Sequence, residues 1–129
     1  FAAELVGVSP DYDLAVLRIK FGERAPPPLP LGSSAGLEVG QKVMAIGNPF
    51  GFDHTLTTGV ISAKRGSALG DVPYVQTDAS FNAGISGGAL VNERGELVGM
   101  PTWIFGQETP IGLAIEGETV SISMLMHQR

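Results

Sequence analysis

The sequence predicts an all-β fold, a barrel or a sandwich, on three observations. Short runs rich in Val, Ile, Leu and Thr recur along the 129 residues, each bounded by Gly, Pro, Asn, Asp or Ser. Glycine (18) and proline (9) are abundant, which suits a chain that turns often better than a packed helical bundle. No stretch of helical period appears before residues 117–129, where a short terminal helix is expected.

Taken in order, strands are expected at 3–8 and 14–20, joined by a Ser-Pro-Asp turn, with Leu14, Val16 and Ile19 suiting a half-buried strand. The segment ERAPPPLPLGSSAG follows. Its prolines favour an extended polyproline II path and its Gly/Ser tail a turn, so 25–40 reads as a connector between a first unit, 1–24, and a second, 41–129. An ordinary long surface loop is the plain alternative. Further strands are expected at 41–46, 55–63, 74–77, 89–91, 96–104 and 111–115. GNPFG reads as a tight turn, and Asn92 to Gly95 as a hairpin turn with Gly95 free to take a positive φ. There is no internal repeat.

Composition removes several classes of function. A hydrophobic share of 43% supports a real core, and a charged share of 16% is too low for a disordered chain. The net charge of -5, without a basic stripe, argues against nucleic acid as the main partner. With no cysteine there is neither a disulfide nor a cysteine metal site. No apolar run approaches the roughly 18 residues of a helical membrane span. The opening residues, FAAELVGV, read as a strand entered without a leader, so the chain is expected to start inside a domain.

The chemistry concentrates in QTDASFNAGISGGAL, residues 76–90. A serine hydroxyl needs a base to become a nucleophile, and its tetrahedral intermediate needs backbone N–H donors aimed at the developing oxyanion. Gly84, Gly87 and Gly88 around Ser86 allow a sharply folded backbone that exposes such donors. GISGG formally fits a G-x-S-x-G nucleophile elbow, but the ALVNERGELVG that follows reads as a hairpin rather than the helix that motif requires. The order Asp13, His54, Ser86 matches subtilisin's, yet nothing here alternates strand with helix. A phosphate-cradling loop would need a lysine that is absent from the required place.

Three blocks in order, DYDLAVLRI, LGSSAGLEVGQKVMAIGNPFGFDHTLTTGVIS and QTDASFNAGISGGALVNERGELVGM, resemble the signature blocks of HtrA/Deg-type trypsin-like serine proteases. The resemblance covers nearly the whole chain and loosens after about residue 107, though PIGLAI is similar to the family's closing strand. It implies a trypsin-like double β-barrel, with the second barrel essentially complete and the first represented by its last strands. It also implies a triad in the order His, Asp, Ser. On that pattern Ser86 is the nucleophile, the N–H groups of Gly84 and Ser86 form the oxyanion hole, and Asp13 orients the histidine, with Asp11 a nearby competitor. Phe81, Thr102, Trp103 and Ile104 are expected walls of the substrate pocket, although apolar residues at 103–105 also suit ordinary core. No metal or organic cofactor is required.

The sequence departs from the pattern in two places that matter. No histidine precedes Asp13: His54 and His127 both follow it, and His54 suits a loop or half-buried position. The catalytic histidine is therefore expected upstream of residue 1, and the chain by itself is expected to be inactive. Ile85 stands where the family usually carries Asn, and Ala89 where Pro is common. The resemblance further implies unfolded or damaged proteins as substrates, export from the cytoplasm, a trimer and a downstream peptide-binding PDZ domain. A non-catalytic peptide-binding or regulatory module is the alternative.

Overall fold

Strand-forming runs that alternate buried and half-exposed residues can satisfy their backbone only by pairing, and here they pair into two sheets. In the computed structural model, residues 1–33, 36–48, 54–65, 73–81, 85–105 and 111–117 are described, with side chains at all of these except 103–105, 111 and 113. Strands β1 (Ala3–Ser9) and β2 (Leu14–Ile19) make an antiparallel ribbon. β3 (Lys42–Gly47), β4 (Thr55–Lys64), β5 (Tyr74–Thr77), β6 (Ala89–Asn92), β7 (Leu97–Phe105) and β8 (Ile111–Glu116) close into a barrel. Its order is β3-β4-β5-β8-β7-β6, with every pair antiparallel. Each expected strand is present, with ends within one residue of the sequence reading. The expected terminal helix lies outside the described residues beyond Gly117, as does the GNPFG turn beyond Asn48.

The barrel core is filled by inward residues from every strand region: Val43, Ala45, Ile61, Val75, Leu90, Val98 and Ala114, with Leu37, Ala79, Phe81 and Ile85 from the connecting segments. Small side chains at 45, 79 and 114 beside branched ones let a narrow barrel pack without voids. A second, smaller cluster joins the ribbon to the barrel, where Leu14 of β2 is buried with Tyr74 of β5 and Ile115 of β8, and Tyr12 and Met100 pack against them. Between ribbon and barrel, Leu31 makes a parallel bridge to Leu97. The Leu97 N–H donates to the Pro30 carbonyl (2.7 Å) and the Gly32 N–H to that of Leu97 (2.8 Å).

The ribbon is two-faced. Glu4 and Arg18 sit opposite each other and form an exposed ion pair at 3.6 Å, while the opposed Leu5 and Leu17 stay more than half exposed. The ion pair contributes little, being open to water. At the other extreme of the chain's polar chemistry is the β6–β7 turn. The Asn92 side-chain carbonyl accepts the N–H groups of Arg94 and Glu96, both at 3.0 Å, and its amide donates to Glu96 Oε1 at 2.8 Å. Gly95 takes the positive φ of 76° that this turn needs.

These contacts hold the Glu96 carboxyl below its ordinary 4.5, first through the Asn92 amide, against the opposing effect of burial that ranks next, with the hydrogen bond and charge of Arg94 adding smaller lowering contributions. A lowered folded value contributes stability that is present above pH 4.5 and lost as pH falls through the folded value. Replacing Glu96 by Gln should therefore lower stability at neutral pH, leave it nearly unchanged below the folded value, and so flatten the acid side of the stability curve. Urea unfolding from pH 7 to pH 3 reads this, and an unchanged acid slope would refute it.

Candidate active site

The Ser86 turn begins with a buried residue and presents an exposed one. Ile85 is fully buried in the barrel core and Ser86, next in the chain, faces solvent. The Gly88 N–H donates to the Ile85 carbonyl at 2.9 Å and closes the turn, while the Gly87 N–H donates to the Pro101 carbonyl of β7 at 2.8 Å. Gly87 has a φ of 84°, which a side chain would strain. Gly88 is needed for a different reason, since a Cβ there would collide with the Ile46 carbonyl oxygen of β3. The glycines expected to shape the backbone thus do so by two separate means, a left-handed φ and a close approach. Gly84 lies outside the described residues.

A β-bulge in β7 supplies the rest. The β7–β8 register slips between Pro101 and Trp103, which leaves Thr102 out of the ladder. A bulged residue can turn both its carbonyl and its side chain away from the sheet, and Thr102 uses both. Its carbonyl accepts the Ser86 hydroxyl at 3.3 Å, and its own hydroxyl donates to Asp13 Oδ2 at 3.0 Å. Pro101, which has no N–H to give the ladder, is tolerated beside the bulge.

Asp13 reaches Thr102 because of how the ribbon turns. Pro10–Tyr12 form one 3₁₀ turn, and Asp13 ends it in the left-handed region (φ 53°, ψ 45°), its N–H donating to the Pro10 carbonyl at 3.2 Å. It stands out as a non-glycine residue at positive φ, and aspartate is one of the few types that tolerate it. Leu14, buried in the small cluster, fixes the next residue against the barrel. Beside the carboxylate is an open depression of about 260 Å³ lined by Val8, Ser9, Pro10, Asp13, Leu14 and Ala15. Of the two candidate aspartates, Asp13 is the one whose carboxylate meets Thr102.

The segment leading to the turn is stapled across β4. The Thr77 hydroxyl donates to the Val60 carbonyl (2.8 Å) and accepts the Ala79 N–H (3.1 Å), Asp78 Oδ1 accepts the Val60 N–H (2.7 Å), and the Thr57 hydroxyl donates to the Ser80 carbonyl (2.9 Å). Gly59 lets the two backbones touch, because a Cβ there would strike Ala79 N and Asp78 Oδ1. Phe81 is in the core with its ring over Gly112 of β8, where a Cβ would come within 2.8 Å of the ring. Trp103 and Ile104 continue β7 past the bulge, with side chains outside the described set. His54 is exposed just before β4, and His127 is outside the described residues.

Comparison with known proteins agrees with this geometry. A family model described as a trypsin-like peptidase domain matches residues 1–100. The chain is 48% identical to a chloroplastic Protease Do-like 1 of Arabidopsis thaliana, over 93% of this chain and 29% of that protein. It is 46% identical to a probable periplasmic serine endoprotease, DegP-like, of Pseudomonas fulva, over 80% of this chain and 22% of that one. Among solved structures it superposes on the HtrA-type protease AlgW with decapeptide at a TM-score of 0.88 and 41% identity, over 97% of this chain and 40% of the other. The chain spans less than a third of the length of these curated relatives. The closed barrel, the glycine-shaped serine turn and these matches lead to one assignment: the chain belongs to the trypsin-like peptidase family, among the HtrA/DegP-type serine proteases.

Proposed function

We propose that these residues form the serine and aspartate side of a peptide-hydrolysing site, with Ser86 as nucleophile and Asp13 orienting a histidine that lies N-terminal to Phe1 in the longer protein. The observation that carries this reading is the Thr102 bulge, which ties Ser86 and Asp13, 73 positions apart in turns of the barrel and the ribbon, to a single residue. The depression beside Asp13 has room for an imidazole ring. In the reaction the Ser86 hydroxyl gives its proton to that imidazole and its oxygen attacks the substrate carbonyl carbon. The oxyanion is received by the N–H groups of Ser86 and Gly84, the proton passes to the departing amine, and water then repeats the sequence on the acyl-enzyme. Asp13, held by the Thr102 hydroxyl, keeps the imidazole in the tautomer that can accept the serine proton.

Substrates on this reading are extended stretches of unfolded or damaged protein that add beside β7, consistent with the solved relative described with a decapeptide. Phe81, Thr102, Trp103 and Ile104 bound the pocket for the side chain before the cut. Relatives named periplasmic and chloroplastic support a site outside the cytoplasm of origin, and the family resemblance extends the proposal to a trimer with a downstream PDZ domain. Residues 1–24 are then the aspartate-bearing part of a first barrel, and 1–129 alone is inactive.

The alternative reading is a peptide-binding module without turnover. A fluorophosphonate serine probe separates the two. The full-length protein should be labelled at Ser86 and its Ser86→Ala variant should not, while the 129-residue chain stays unlabelled. A folded full-length protein that resists the probe would establish the binding module instead.

A further inference from the structure

We infer that Ile85 is a positioning residue, an apolar anchor that sets the nucleophile turn by packing in the barrel core. Three tethers hold this turn. Two are backbone contacts, the Gly87 N–H on the Pro101 carbonyl and the close seat of Gly88 on the Ile46 carbonyl. The third is the Ile85 side chain, fully buried in the cluster that contains Val43 and Ala45 of β3 and Val98 of β7. That cluster draws on every strand of the barrel, so the anchor seats the turn on the core as a whole, while the two backbone tethers reach β7 and β3.

Consecutive Cα atoms are about 3.8 Å apart, so fixing Ile85 leaves Ser86 little freedom except rotation about the backbone between them. The Gly88 N–H to Ile85 carbonyl bond at 2.9 Å removes much of that rotation. A branched side chain has one or two rotamers to lose and no polar atom to satisfy, so the anchor needs no hydrogen-bond partner and no charge. The turn is held ready without a titrating or effector-dependent contact at position 85. A polar residue here would have to find partners among Ile61, Val75, Leu90 and Val98, which offer none from their side chains.

The chemical part of this inference rests on Ser86 being the nucleophile; the structural part does not, and the experiment separates them. In the full-length protein, Ile85→Ala is compared with Ile61→Ala, the same deletion elsewhere in the same cluster and away from the turn. Amide hydrogen exchange at Gly87 and Gly88 should quicken at least about tenfold more in the first than in the second, once global stabilities are matched with denaturant. The rate of fluorophosphonate labelling per folded molecule should fall about tenfold to a hundredfold in Ile85→Ala alone, because nucleophile placement tolerates little displacement. Ile85→Val should restore both readouts to within about threefold. If Ile85→Ala does not fold, Ile85→Val against Ile61→Val makes the same comparison with a smaller expected gap. Equal exchange at Gly87 and Gly88 in the two variants overturns the anchor. A wild-type protein that exchanges as expected but is never labelled overturns the nucleophile reading and leaves the anchor standing.

Discussion

Replacing Asp13 by Asn in the full-length protein lowers kcat by about four orders of magnitude with little change in stability. Asparagine, like aspartate, accepts the left-handed conformation at φ 53°, so the 3₁₀ turn and the seat of Leu14 are kept. The amide oxygen can still take the Thr102 hydroxyl, which now reaches Asp13 Oδ2 at 3.0 Å. What is lost, on the proposed reading, is a carboxylate that fixes the imidazole tautomer and stabilises the imidazolium, and in a Ser-His-Asp triad that loss is worth about 10⁴ in rate. Asp11, two residues earlier and exposed, provides the control: Asp11→Asn should leave kcat within about twofold. Steady-state hydrolysis of an unfolded protein substrate, alongside thermal unfolding, measures both. Were Asp11→Asn the damaging change, the assignment of the aspartate would be reversed.

Gly88→Ala should be nearly as severe, through structure rather than chemistry. One added methyl group meets the Ile46 carbonyl oxygen and lies 3.0 Å from that of Ile85, and both are backbone atoms that cannot swing aside. The turn must lift away from β3, which takes Ser86 off the Thr102 carbonyl. Labelling of Ser86 is expected to fall by more than about a hundredfold, as misplacements of about 1 Å do. Gly87→Ala is the instructive partner, because its Cβ has open space and only the φ of 84° opposes it. Left-handed strain costs roughly 1–2 kcal/mol, so that variant should fold and label measurably. Labelling rates and melting curves of the two variants decide the matter, and equal behaviour would show that the close seat on β3 is unimportant.

The strands were legible because their signals are local. Val, Ile and Thr runs with Gly, Pro and Asn between them mark β3 to β8 wherever they fold, and Asn92 with Gly95 specifies its hairpin within five residues. Ser86 and Asp13 were singled out as candidates by the resemblance of QTDASFNAGISGGAL and DYDLAVLRI to protease blocks, the glycines around Ser86 alone being a weak signal. The Thr102 bulge was not, because a register slip belongs to a pair of strands and leaves no mark on either one alone. Thr102 could be placed in a pocket wall, while its bonds to Ser86 and Asp13 come from segments 16 and 89 positions away. The staple of Thr77 and Asp78 on Val60 was hidden in the same way, although two polar residues ending an apolar strand are the signal that could have drawn attention to it. Ile85 read as a departure from a family pattern, and its full burial in the barrel core is visible only in the structure.

The geometry at Thr102 has a consequence for how the site responds to motion. Ser86 leans on the carbonyl of that residue and Asp13 on its hydroxyl, while the neighbouring Pro101 carbonyl holds Gly87. A shift of β7 along or across the barrel therefore carries the serine turn and the carboxylate in the same direction. Breathing of the barrel becomes a common-mode displacement, in which absolute positions drift and the spacing between the two groups is preserved. A rotation of the Thr102 side chain is a differential movement, and the half-buried setting of that β-branched residue restrains it.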